Sequence, residues 1–103
     1  PDLAPPDARG HIRVCGLNDG ALGIVEQLHA AHQRVVVIDD LPDARLARIV
    51  AGLGVQLLNL SPQRSAVLER AGISGAAALL CVEADELRNL DIALLAHRFM
   101  KRY

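Results

Sequence analysis

Aromatic residues are nearly missing from this 103-residue chain: they make up 2% of it, with one Phe, one Tyr and no Trp. A core without large rings has to be built from Leu, Val, Ile and Ala, and 51% of the residues are hydrophobic. That material suits a parallel sheet flanked by Ala- and Leu-rich helices. An excess of one charge is missing too, with 11 Lys and Arg against 12 Asp and Glu and a formal net charge of −1. No basic stripe with interleaved aromatics runs along the chain, so nucleic acid is not an expected partner. Cysteine is scarce: Cys15 and Cys81 stand far apart in sequence, each inside an apolar run. Both read as reduced core residues, with neither a disulfide nor a metal site expected.

No apolar stretch approaches the roughly 18 to 20 residues that cross a bilayer, and no basic segment leads into a signal-peptide core. A soluble, cytoplasmic domain is expected, one that a longer parent protein could tether to the inner face of a membrane. Nucleophile chemistry lacks its signature, because Gly-x-Ser-x-Gly is absent and Ser61, Ser65 and Ser74 have no neighbouring His and acid. The four histidines, His11, His29, His32 and His97, show no metal-ligand pairing beyond a loose spacing of His29 and His32 near a helix end, where a cation complements the helix dipole. No enzyme activity and no metal are expected.

What is present is a strict alternation of two hydrophobic periods. Residues 1–10 hold three of the five prolines and read as a linker or tail. Residues 11–16 (HIRVCG) form a short strand stopped by glycine, followed by Asn18-Asp19-Gly20 and an amphipathic run to about His32. Val35, Val36, Val37 and Ile38 form a β-branched run without alternation, as a strand buried on both faces should, and it ends in Asp39 and Asp40. Pro42 fits a first helical turn, Asp43 the positive end of a helix dipole, and Leu46, Ile49, Val50 and Leu53 recur at helical spacing until Gly54.

Residues 55–60 give a third strand, and Val67, Leu68 and Ala71 mark a short helix that Gly72 ends. Residues 77–82 give a fourth strand. Glu83, Asp85 and Glu86 then start a last helix whose apolar positions Leu87, Leu90, Ala93, Leu94 and Ala96 are expected to form one packed face. The carboxylates of that start read as helix-terminus electrostatics, with a cation site as the alternative. Arg13, in the middle of the first strand, is out of place in a buried sheet; an uncovered sheet face, a carboxylate partner or an interface would account for it.

The order βαβαβαβα implies an α/β fold, a Rossmann-like doubly wound parallel sheet with right-handed crossovers and strand order 3-2-1-4. The crevice between strands 1 and 4 is its switch point, where a ligand would touch the turns after Gly16, Ile38, Leu60 and Val82. A dinucleotide fingerprint uses glycine for a tight turn, for close approach to the pyrophosphate, and for helix–strand packing. The stretch Gly16-Leu17-Asn18-Asp19-Gly20-Ala21 has the first glycine and an accepted third residue in Ala21, with Asn18 at the second place. A second register through Gly16, Gly20 and Gly23 avoids Asn18. Amides around Gly20 to Leu22 could cradle an anion at a helix N-terminus; the plainer alternative is that the glycines only permit tight packing. Asp39 is placed to accept hydrogen bonds from both ribose hydroxyls of an adenosine and to repel a 2′-phosphate, favouring NAD or adenosine over NADP. An acid leaving a strand is also common in any turn, and Asp40 reads as its solvated neighbour.

The order of these motifs resembles the N-terminal domain of the regulators of potassium conductance, the RCK N or Trk-type nucleotide-binding domain. HIRVCGLNDGALGIVEQL resembles its first strand and glycine turn, VVVIDDLPD its second strand and ribose acid, VLERAGISGAAALL its third helix and fourth strand, and NLDIALLAHRF its fourth helix. The chain departs from the pattern at Asn18, at Leu60-Ser61 in place of Gly-Asp, and at Val82-Glu83-Ala84-Asp85 in place of a Thr- and Asp-rich turn. The resemblance implies a cytoplasmic regulatory domain of a potassium channel or transporter, working as a dimer or ring and binding NAD(H) or another adenine nucleotide. Its expected contact residues are Gly16, Asn18, Asp19, Gly20, Ala21, Asp39, Asp40, Leu60, Ser61 and Val82. The alternative is an interaction or dimerisation module of the same fold that no longer binds nucleotide; a third is the cofactor half of an oxidoreductase. Residues 11–103 would form the domain without its last strands, and a longer parent protein is expected.

Overall fold

The structure is a computed structural model and describes residues 10–62, 64 and 77–97. The expected helix through Val67, Leu68 and Ala71 and the residues 1–9 of the expected linker lie outside them, as do Ser65, Ser74 and residues 98–103.

Among the described residues seven elements follow in order: β1 (Ile12–Cys15), α1 (Asp19–Ala30), β2 (Val35–Ile38), α2 (Ala44–Gly52), β3 (Gln56–Leu58), β4 (Ala78–Cys81) and α3 (Glu86–His97). The four strands form one sheet in the order β3-β2-β1-β4, and every pairing is parallel. This is the expected doubly wound order, and β2 is buried at all four positions because both faces of the sheet are covered beside it. Full burial of a Val side chain contributes roughly 1.5–3 kcal/mol, so Val36 and Val37 anchor opposite faces.

Val14, Leu17, Val25, Val37, Leu46 and Val50 share one core with α1 and α2; Cys15, Val36, Ile38, Leu58 and Ile92 share another with α3. Helix α3 turns Ile92 and Ala96 to the sheet, so of its expected packed face only Ala96 is buried, and Leu87, Leu90, Ala93 and Leu94 are exposed. Arg13 is fully buried. The uncovered face once open to it is thereby excluded, and desolvation lowers its pKa.

Local chemistry sets the element ends. Helix α1 stops at Ala30, before the expected His32, in a motif where Gln33 N–H donates to Leu28 O (3.0 Å), His32 N–H to His29 O (3.0 Å), and His32 adopts φ 61°. Helix α2 ends in the same arrangement with Gly54 at φ 80°. Asp43 is the N-cap of α2, its Oδ1 accepting from Arg45 N–H at 2.8 Å and Leu46 N–H at 3.2 Å, so Pro42 precedes the cap and does not sit in the first turn. Strand β3 is shorter than expected because Leu60 N–H turns back onto Leu58 O at 2.9 Å.

Candidate functional site

The carboxyl ends of β1, β2 and β4 meet where the topology reverses, and the turn after β1 is the tightest point. Gly16 has φ 109°, a backbone region closed to L side chains, and its N–H donates to Ile38 O at 2.9 Å. A Cβ on Gly16 would stand 3.0 Å from both the backbone N and Oε2 of Glu83. Gly20 and Gly23 meet no such limit: a Cβ would lie 3.4 Å from Asn18 Oδ1 at Gly20 and within 4 Å of nothing at Gly23. The second glycine register therefore has no close approach to explain it.

Asn18 is extended, at φ −142°, and not left-handed; it is the N-cap of α1. Its Oδ1 accepts from Ala21 N–H at 2.8 Å, its backbone O accepts from Leu22 N–H at 2.8 Å, and its Nδ2 donates to Val82 O at 2.8 Å. Two amides expected to cradle an anion are thus committed to Asn18, and its side chain bridges the crevice from β1 to the end of β4. Asp39 is 7% exposed; its Oδ2 accepts from Leu17 N–H at 2.7 Å and its Oδ1 from Leu41 N–H at 2.9 Å. The carboxylate holds the glycine turn with one oxygen and its own turn with the other.

Asp40 is no solvated bystander. Its Oδ1 accepts from Arg88 at 2.9 Å, and Arg88 Nε lies 3.3 Å from Glu83 Oε1. The guanidinium joins the ends of β2 and β4. Glu83 is further fixed by Asn89, which accepts from Glu83 N–H at 2.8 Å and donates to Glu83 O at 2.9 Å. Desolvation raises the Glu83 pKa, against the attraction of Arg88 and with help from the charges of Asp39 and Asp40. Helix-terminus electrostatics in α3 fall to Asp85, whose Oδ1 accepts from Leu87 N–H at 2.9 Å.

Of the expected contact residues, Asn18, Ala21 and Val82 are joined by direct hydrogen bonds, Gly16 and Asp39 bond instead to the backbone of Ile38, Leu17 and Leu41, and Asp40 pairs with Arg88. Asp19 instead pairs with Arg45 at 3.0 Å on the surface. Gly20 is exposed, Leu60 packs against the α3-side core, and Ser61 O accepts from Arg64 N–H at 3.4 Å. Sequence reading missed Arg88 and Asn89; their only signal is a pair of polar residues in the first turns of a helix already rich in charge. The filled crevice offers a diphosphate few amides and faces it with three carboxylates.

At the opposite end of the sheet a cavity of about 540 Å³ opens among His11, His29, His32, Arg34, Gly54 and Gln56. Among the described residues no cluster of three or more His, Cys, Asp or Glu side chains converges as a metal site, and no helix is long and apolar enough to cross a membrane.

Comparison with known proteins gives the following. No curated protein matches the chain. Among solved structures, the GsuK channel bound to NAD aligns with 96% of this chain at 20% identity and a TM-score of 0.80, the chain covering 18% of that protein. GsuK bound to ADP aligns with 96% of the chain at 19% identity and a TM-score of 0.80, with 26% of its own length covered. The NAD(P)-binding domain of an exopolyphosphatase-related protein from Archaeoglobus fulgidus aligns with 92% of the chain and is itself 70% covered, at 21% identity and a TM-score of 0.76. The chain thus spans about a fifth to a quarter of the GsuK chains, and at these identities the likeness is one of fold. The TrkA-N domain model matches residues 12–103, from the start of β1 onward, and the chain belongs to the TrkA-N domain family.

Proposed function

We propose that this domain is a cytoplasmic regulatory module of a potassium channel or transporter, with NAD(H) or another adenine nucleotide as its ligand class and no chemistry of its own. The observation that carries the reading is the family match over residues 12–103 on a sheet whose glycine turn and ribose-type acid are built against each other, Leu17 N–H to Asp39 Oδ2 at 2.7 Å. Relatives of the same fold carry NAD and ADP. A ligand would act by its different affinity for two arrangements of a dimer or ring. Assembly is supported by Leu87, Leu90 and Leu94, which leave an exposed apolar strip along α3.

In the conformation described, a nucleotide has to displace the Asn18–Val82 bond and meet the Glu83 carboxylate over Gly16. Entry is coupled to opening of the turn. The second reading, an interaction module without nucleotide, is favoured by this same filled bend. Calorimetric titration with NAD⁺, NADH, ATP, ADP and AMP separates the two. The nucleotide reading expects heat with at least one of them, binding tightened about fivefold in Asn18→Gly, since one bond worth about 1 kcal/mol no longer has to break, and binding lost in Asp39→Ala. Silence in both the parent and Asn18→Gly leaves the interaction module.

A further inference from the structure

We propose that Cys15 and Cys81 are a modification site: an intrachain disulfide forms between them when the partly buried Cys81 meets a peroxide. The two residues are distant in sequence but are register partners on the adjoining parallel strands β1 and β4. Both side chains belong to the core on the α3 side, where Cys15 is fully buried and Cys81 packs partly buried against it, and both are free thiols. Register partners on neighbouring strands stand about 4.8 Å apart, inside the Cα range of roughly 4.4–6.8 Å that a disulfide spans. Their Cβ atoms have to draw in to about 3.8 Å, which strains the bond and makes it readily reducible.

Unequal exposure sets the order of events. Cys81 reaches solvent and Cys15 does not. A hydrogen bond from Cys15 lowers the Cys81 pKa against desolvation, while that same contact and burial raise the Cys15 pKa; Glu83 opposes ionisation of both thiols, and Asp39 that of Cys15. The Cys81 thiolate attacks one peroxide oxygen, the O–O bond breaks, and the departing hydroxide leaves as water, giving Cys81 sulfenic acid. Cys15 gives up its proton and attacks the Cys81 sulfur; the S–O bond breaks, and the hydroxyl leaves with that proton as a second water. The sum is two thiols and one hydrogen peroxide to one disulfide and two waters, reversed by a dithiol. The bridge would close the last residues of β1 and β4, directly before Gly16 and Val82, tying the two lips of the crevice. It stands independently of nucleotide binding.

The test is to treat the 103-residue chain with equimolar hydrogen peroxide, block remaining thiols by alkylation, and read intact mass and non-reducing peptide maps. The expected product is a monomer lighter by two hydrogens with the peptides of Cys15 and Cys81 joined, restored by dithiothreitol. Cys15→Ser should stop at a Cys81 sulfenic acid that dimedone traps, and Cys81→Ser should lose its remaining thiol at least about tenfold more slowly than the parent. If a serine variant does not fold, Cys15→Ala and Cys81→Ala serve in its place, with folding checked by circular dichroism. Disulfides found only between molecules, or Cys15 oxidised in Cys81→Ser as fast as in the parent, would overturn the proposal. So would two alkylatable thiols after the peroxide is consumed.

Discussion

The two ends of the sheet are built from the same strands and finished in opposite ways. At the carboxyl ends, Asn18, Asp39, Asp40, Glu83, Arg88 and Asn89 bond to one another and to the backbone across three strand termini. At the amino ends, an open cavity is lined by three histidines and Arg34, with no acid among the described residues of its lining. The filled end is the one the topology reserves for a ligand. Its polar groups are held by partners from distant parts of the chain, so the strap across the crevice belongs to the folded state and adds to its stability.

That contrast can be broken most severely at Gly16. Gly16→Ala should destabilise the domain by about 3 kcal/mol, combining a forbidden φ with a Cβ pressed on the Glu83 backbone. Urea denaturation measures it, and a loss below about 1 kcal/mol would mean the turn is looser than described. Asp39→Asn comes next, at about 2 kcal/mol, because an amide has one accepting oxygen for two backbone donors now served by two. Retained stability there would show that Leu17 and Leu41 find other acceptors.

Glu83→Gln should change the pH profile of stability. The folded state holds the Glu83 proton more tightly than the unfolded chain, since its pKa is raised by desolvation. The associated stability is present below the unfolded value and is lost as pH rises through the folded one, so this residue contributes a downward slope above about pH 4.3. The variant should lack that component in denaturation curves collected across the window; an unchanged slope places the titration elsewhere.

The smallest effect belongs to the open end. His32 occupies the left-handed position that Gly54 fills after α2, so His32→Gly should raise stability by about 0.5–1 kcal/mol. A loss on thermal melting would show that the imidazole contributes more through its contacts than its backbone strain costs.

Legibility in the sequence followed the range of the interactions. The run of Val35, Val36, Val37 and Ile38 announced a strand buried on both faces, and the alternation read as a Rossmann-like doubly wound sheet carried the order 3-2-1-4. Gly16 and Asp39 were legible as a turn and an acid brought face to face. What Asp39 does there was not, because only the folded turn places the Leu17 amide 2.7 Å from its carboxylate. Arg88 and Asp40 are separated by 48 positions, and their pairing depends on where the first turn of α3 lands beside β2. Cys15 and Cys81 were likewise two unrelated apolar positions until register made them neighbours.

Hydrophobic periods and glycine placement, acting over a few residues, were sufficient to place the four strands and the helices α1, α2 and α3 along the chain. Tertiary structure decided what fills that crevice. Side-chain reach across strand ends depends on ångström-scale register, which no local pattern of residues encodes.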